Sequence, residues 1–303
     1  MIGSTLCLIL LAVQAADSPP PKPAPAPAAA RSRVGAYLSG TDTIYVYEDH
    51  GALFARVDSV ALPIKRGADS VLARWSRLQL GPADGGQLRI TPAHPVAELL
   101  SADRALTPPA ESGAFLAADL VEPAGLDSTI HLDIRYATTN NFLGSVFYSS
   151  PHAFLQRPAA LALVAAARAL RPLGYGLLIH DAYRPWYVTK VFWDATPPAS
   201  RWLVADPSKG SKHNRGAAVD ITLYDLKTGA PVEMPSTYDE ATPRAYADFL
   251  GGTSLQRWHR ALLRRALERE GFTVNPSEWW HFDFRGWEHY PILNITFEQL
   301  LRQ

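Results

Sequence analysis

Two short stretches in the last third of the chain carry residues whose types and spacing could hold a metal ion. In SKHNRGAAVD, residues 211–220, His213 and Asp220 stand seven apart around Gly216. On one continuous strand an odd separation would put them on opposite faces. The chain must therefore turn between them, and Gly216 is the residue that permits a turn. His213 then belongs to a loop and Asp220 to the strand that follows, both within reach of one ion. Taken alone, the pair reads equally well as a surface or capping histidine near a strand aspartate. In SEWWHF, residues 277–282, Glu278 and His281 are three apart. The expectation is Glu278 on the turn entering a strand and His281 on the strand proper, facing the same cavity. Trp279 and Trp280 beside them read as packing. A His/Asp/His set leaves zinc a fourth position for water, and a glutamate that is not a ligand supplies a base.

A third cluster, HDAYRP at residues 180–185, puts Arg184 where a strand gives way to a helix. A fixed guanidinium there can point into a cleft and meet a developing oxyanion. It can equally be a surface arginine paired with Asp181 or Asp194. A fourth, DIRYATTNNF at 133–142, offers Tyr136, Asn140 and Asn141 without chemistry of its own. His131, His152, His180 and His259 have no spacing partner and read as structural.

These residues need elements to position them. QRPAALALVAAARALRPL has helical periodicity, and YGLLIHD after it suits a buried strand. Pro185 fits the first turn of a helix through WYVTKVFW. AAVDITLYD alternates as a strand, SLQRWHRALLRRALEREG is an amphipathic helix ended by Gly271, and WWHFDF is strand-like. Helices and strands in this irregular order predict an α+β domain over residues 114–303.

Upstream, short β-prone runs such as TIYVYE and ALFARVDSVALPI predict a small all-β domain over residues 34–108, with TPPAESG at the boundary. It has no convergent polar cluster, so it reads as a spacer or partner-binding module, its partner unknown, and as dispensable for chemistry. Residues 17–33 are rich in Pro and Ala and predict an extended tether. Residues 1–16 form an apolar run ending in small residues, with Val13 and Ala15 spaced as a cleavage site. That predicts a signal peptide and an exported, periplasmic or extracellular protein; the run is too short to cross a bilayer of ~30 Å.

The 303 residues, 47% of them hydrophobic, suffice for one well-cored domain and a smaller companion, which excludes a disordered or fibrous chain. Lys+Arg and Asp+Glu both number 29. No broad field therefore points to nucleic acid or an anionic membrane. Cys7, the only cysteine, lies inside the expected signal segment, so a metal site must use histidines and carboxylates.

S-x-H-x-x-G-x-A-x-D followed downstream by E-x-W-H resembles the signature of the D-alanyl-D-alanine metallopeptidases, a group that shares its fold with the Hedgehog signalling domain. With DIRYATTNNF and DAYRP ahead of EWWHF in this order, the chain is similar to the D-alanyl-D-alanine dipeptidases of the vancomycin-resistance type, over roughly residues 125–285. The resemblance implies one zinc ion per chain on His213, Asp220 and His281, Glu278 as general base and Arg184 stabilising the transition state. It further implies substrate contacts from Ser211, and Tyr136 joins them as a candidate. The implied substrate is D-Ala-D-Ala or a short cell-wall peptide. Two alternatives stand beside it: a D,D- or L,D-carboxypeptidase acting on longer wall peptides, and a non-catalytic, zinc-containing wall-binding protein. The chain departs from the simplest family members in its β-bearing N-terminus and in residues 225–254.

Overall fold

The computed structural model describes residues 19–57, 60–64, 75–78 and 88–302. The expected signal peptide, residues 1–16, lies outside them. Helices and sheets are mixed, as expected of an α+β chain.

The first unit is an antiparallel sheet of β1 (Gly35–Ser39), β2 (Asp42–Asp49), β3 (Ala52–Val57), β4 (Val60–Ile64) and β5 (Ser76–Leu78), in the order β4-β3-β2-β1-β5. Strict alternation along β2 buries Ile44, Val46 and Glu48 on one face and leaves Thr43, Tyr45 and Tyr47 half-buried on the other. Tyr37, Ile44, Val46, Leu53 and Ala55 make its small core.

The second unit holds the chemistry. Its sheet orders β11 (Phe272–Asn275), β12 (Glu278–Phe284), β10 (Ala218–Asp225), β9 (Tyr175–Asp181) and β7 (Ile130–Leu132), with only the β7–β9 pair parallel. A two-residue pairing of β6 (Leu120–Val121) with β8 (Leu155–Gln156) stands apart. In place of the expected alternation, β10 is buried on both faces along almost its whole length, because it is the central strand.

Two helices pack against each other over this sheet. The first, Arg157–Leu170, is built from good helix formers with a proline in its first turn. It buries the stripe Ala159, Ala160, Leu163, Ala166, Ala167 and Leu170, whose small side chains allow close approach. The second, Ser254–Arg269, starts at a capping box in which Thr253 Oγ1 accepts from the Gln256 amide at 3.2 Å and Gln256 Oε1 accepts from the Thr253 amide at 2.9 Å. A third helix, Trp186–Ala195, follows Arg184 directly and carries Phe192 into the core.

The β unit is fastened rather than suspended. The Glu48 carboxylate is fully buried at the start of the Ser254–Arg269 helix, where Oε2 accepts from the Ser254 amide at 2.9 Å and from its hydroxyl at 3.0 Å. A carboxylate there answers the unpaired N–H groups and the positive end of the helix dipole. Arg257 reaches back to Glu48 O and to Asp49 Oδ1, at 2.9 and 3.0 Å, and Tyr45 meets Phe249 edge-on at 5.5 Å.

Two boundaries fall differently from the compositional reading. Helix Val96–Asp103, placed by sequence in the β domain, packs on the Trp186–Ala195 helix, and Val96, Leu99 and Leu100 join the large core. The Pro/Ala stretch is in contact too, where a free tether was expected. Trp258 Nε1 donates to the Pro20 carbonyl at 2.8 Å, Lys22 Nζ lies 5.1 Å from the Tyr175 ring centre, and Ala28–Arg31 forms a single helical turn. The reason is shared: apolar residues too few to make a core of their own are buried against a larger one. The boundary segment is also tied, since Glu111 accepts from Arg215 and from the Ile292 amide.

Replacing Glu48 by Ala should lower unfolding stability by about 2 kcal/mol, because the Ser254 donors are left buried without a partner; an unchanged urea midpoint would contradict the docking role. Gly216, at φ +66°, ends the turn that carries His213, and a Cβ there would lie 2.4 Å from Leu120 Cδ2. Gly216→Ala should cost ~2 kcal/mol through the left-handed backbone alone, measurable by the same unfolding curve.

Candidate metal centre

The local folding that brings the candidate residues together follows from two turns and one register. Lys212–Arg215 form a single 3₁₀ turn capped at both ends. At its start Ser211 Oγ accepts from the His213 amide at 3.2 Å and the Ser211 amide donates to Asn214 Oδ1 at 2.7 Å; at its end Gly216 reverses the chain into β10. Asp220 then pairs in register with His281 of β12 on one side and with Asp181 of β9 on the other, with a bulge between Asp220 and Ile221. Cross-strand partners hold their Cβ atoms ~5 Å apart, so Asp220 and His281 are neighbours by pairing alone. A second irregularity opposes Asn275 to Glu278 at the head of β12. Glu278 is the first residue of β12, where the turn before it was expected, and it stands on the same cavity as His281.

His213 Nε2, Asp220 Oδ1 and His281 Nδ1 converge, all within 4.8 Å of one another. Nε2 of His213 lies 3.1 Å from His281 Nδ1 and 3.4 Å from Asp220 Oδ1, and His281 Nδ1 lies 2.9 Å from the same oxygen. Each imidazole has its far nitrogen engaged: His213 Nδ1 donates to the Ala182 carbonyl at 2.7 Å, and His281 Nε2 to Asp283 Oδ1 at 2.9 Å. Neither acceptor can donate, so the outer nitrogen of each ring keeps its proton and the inner one is the atom that can bind an ion. Burial favours a neutral Asp220, but His213 and His281 outweigh it and hold the carboxyl well below the usual range. Burial also opposes charge on His281, and the Asp220 and Asp283 carboxylates lift it to about 10. Two imidazole nitrogens and one carboxylate, with no sulfur, fit a divalent ion such as zinc, which would displace the proton they share.

The three groups open onto a cavity of about 580 Å³ that is also lined by Tyr136, Arg184, Ser211, Asp239, Glu278 and Trp280. The expected ligands, His213, Asp220 and His281, and the candidates Glu278, Arg184, Ser211 and Tyr136 therefore reach one space. Glu278 Oε2 stands 3.9 Å from His281 Nδ1 and accepts from Asn275 Nδ2 at 3.0 Å. Burial, aided by Asp220 and offset in part by His281, raises its pKa above the ordinary glutamate value. Arg184 donates through Nε and Nη2 to Asp181 Oδ2 at 3.0 and 2.7 Å, while Tyr148 donates to the other oxygen at 2.7 Å. Its guanidinium sits over the rings of Phe192 and Tyr136, at 4.8 and 5.2 Å. The pairing with Asp181 anticipated for a surface arginine exists, but it is buried and borders the cavity. Asp194 pairs with Lys190 instead.

The bland readings hold elsewhere. Asn141 is buried and donates to three backbone carbonyls. His131 stacks on Tyr224, His152 pairs with Glu122, His180 with Asp133, and His259 meets the Tyr175 hydroxyl. Trp279 and Trp280 are buried, Trp279 donating to Ser236 Oγ.

Sequence reasoning missed two residues of the 225–254 segment. Tyr238 donates to Asp220 Oδ2 at 2.9 Å, so it holds the oxygen that does not face the two imidazoles. Asp239 lines the cavity with its Oδ2 3.5 Å from the Tyr136 hydroxyl. Burial, with the charges of Asp220 and Glu278, pushes its pKa well above the usual value. Its φ of +58° is a conformation that Asp tolerates better than most residues, yet nothing in the spacing of the segment announced it.

A family model described as D-ala-D-ala dipeptidase matches residues 117–297. The D-alanyl-D-alanine dipeptidase of Escherichia coli strain K12 is 31% identical over 179 residues, covering 59% of this chain and 91% of the relative. Those of Enterococcus faecalis V583 and Enterococcus faecium are 33% and 34% identical over 193 and 187 residues, covering 57% and 55% of this chain and 95% and 92% of theirs. The matched region takes in the turn, the strands and every residue of the cavity discussed above, and the chain belongs to the M15 peptidases of the D-ala-D-ala dipeptidase family.

Proposed function

We propose that this chain is a zinc-dependent hydrolase of the free dipeptide D-Ala-D-Ala. The observation that carries the reading is the convergence of His213, Asp220, His281, Glu278 and Arg184 on one cavity, in a chain of this family. His213, Asp220 and His281 are the ligands of a single zinc ion, since an N/N/O set with no fourth ligand among the described residues leaves room for water and substrate. Bound there, zinc supplies polarisation of the scissile carbonyl and a lowered pKa for the attacking water.

The chain's own groups do the remaining work. Glu278 takes the proton of the attacking water and returns it to the leaving amine, a task its raised pKa suits. Arg184 meets the negative charge that grows on the carbonyl oxygen; Asp181 and the two flanking rings hold it ready, so little reorganisation is needed at the moment of reaction. Asp239 meets the substrate's ammonium, because a half-buried carboxyl at the cavity wall with two acidic neighbours gains most from an incoming cation. The Ser211 hydroxyl, which accepts from a backbone amide, keeps its own proton to donate to the substrate carboxylate. Tyr136 fills the wall between Arg184 and Asp239.

The wider setting follows the same reading. The apolar N-terminal run marks an exported protein that works beside the wall whose peptides end in D-Ala-D-Ala, and the motif order assigns the second unit to the Hedgehog-like fold.

Glu278→Ala should retain about one zinc per chain by elemental analysis and lose kcat by ~10²-fold or more. Loss of the metal in that variant would make Glu278 a ligand. Arg184→Lys should lose kcat/KM by ~10²-fold despite its conserved charge, since a point charge cannot keep both the Asp181 pairing and the oxyanion contact; near-normal turnover would remove Arg184 from the mechanism. Free D-Ala-D-Ala should be cleaved far faster than its N-acetyl form, which leaves Asp239 without a cation. Equal or better cleavage of the acylated peptide would instead identify a carboxypeptidase.

A further inference from the structure

His281 differs from His213 in what holds its outer nitrogen. For His213 the acceptor is a neutral backbone carbonyl; for His281 it is the carboxylate of Asp283, two residues on along the same face of β12. That carboxylate is not solvated freely. Its side chain is 15% exposed, and its second oxygen takes the ammonium of Lys212 at 2.6 Å. Lys212 adjoins His213 on the 3₁₀ turn, and its ammonium lies 5.2 Å from the Trp287 ring centre. A continuous chain therefore runs from His281 through Asp283 and Lys212 back to the residue beside His213. It ties together two ligand-bearing elements that are 68 residues apart in sequence.

We propose that Asp283 and Lys212 form a positioning pair for the metal centre, with Asp283 fixing the His281 tautomer and strengthening its Nδ1 as a donor, and Lys212 locking the turn of His213 to β12. The inference rests on the metal reading given above. Two physical effects make it specific. Asp283 can only accept, so it keeps a proton on Nε2 and the lone pair on Nδ1. A carboxylate acceptor also makes the imidazole a stronger ligand than a carbonyl does, and partners of this kind are worth roughly 10–100-fold in metal affinity. The Lys212 ammonium, on the second oxygen, holds the carboxylate turned toward the ring. Without it, Asp283 would gain freedom to rotate into solvent.

The test is zinc affinity of the full chain, measured by competition with a chromophoric chelator at fixed pH. Asp283→Ala should bind zinc ~10–100-fold more weakly, and Asp283→Asn, which keeps an acceptor oxygen but not the charge, should fall between it and the parent. Lys212→Met should weaken binding by a smaller factor, and combining it with Asp283→Ala should add little, because both act through one contact. In the ¹⁵N spectrum of the zinc-loaded protein, the Nε2–H signal of His281 should shift in Asp283→Asn while that of His213 Nδ1–H stays, because only the first loses a carboxylate acceptor; a merely structural role would leave the His281 signal in place. If Asp283→Ala unfolds, Asp283→Asn decides alone. Zinc affinities of Asp283→Asn and Asp283→Ala within twofold of the parent overturn the proposal. A parent chain that binds no zinc overturns the metal reading and this inference with it, so the two failures are told apart.

Discussion

The site depends on where β10 pairs with its two neighbours. Asp220 faces His281 across one ladder and Asp181 across the other, so a single residue on the central strand joins the candidate metal cluster to the acid that holds Arg184. Strand pairing has a period of two, and a slip of one residue would send Asp220 to the opposite face and separate all three groups. Burial on both sides of β10 makes such a slip costly, because Val219, Ile221 and Leu223 are fully buried where they stand. The apolar packing that stabilises the sheet thus also locates the chemistry.

Concentrating acids and bases in a buried place has its own cost, and this chain offsets it by pairing. Asp220, Asp239, Glu278 and Arg184 line one space, with Asp181 buried against Arg184, and no carboxylate among them could stay charged in isolation. Asp181 is matched by Arg184 and the Tyr148 hydroxyl, and Asp220 by two imidazoles and Tyr238. The two groups whose pKa is raised, Asp239 and Glu278, are those matched least well within the protein. That imbalance marks them as the places where an incoming cation or a transferring proton gains most.

The β unit bears on the site through mechanical support. Glu48 anchors the start of the Ser254–Arg269 helix, and Tyr45 meets Phe249 at the end of the segment that carries Tyr238 and Asp239. The segment 225–254 is therefore held at both ends, by the β10 strand it leaves and by the helix it enters. A loop that supplies a carboxylate to a cavity wall gains from such bracing, since its left-handed Asp239 backbone is a strained conformation that surrounding contacts must maintain.

The sequence by itself pointed to His213, Asp220, His281, Glu278 and Arg184 as candidates, through residue type, short spacing and the order of motifs that resembles the family. The odd interval from His213 to Asp220 required a turn at Gly216, and the turn is there. Helix periodicity likewise marked Arg157–Leu170 and Ser254–Arg269. Tertiary structure alone decided the rest. Tyr238 and Asp239 reach the site from a segment with no periodic signal, and Asp181 and Asp283 gain Tyr148 and Lys212 as partners from distant segments. The limits of the β unit were also beyond composition: helix Val96–Asp103 and the Pro/Ala stretch look separable in sequence, yet both are drawn onto the larger core. The reason is the same throughout. Local spacing records what a residue can do within a few positions of itself, whereas burial, register and charge pairing are settled between segments that meet only when the chain has folded.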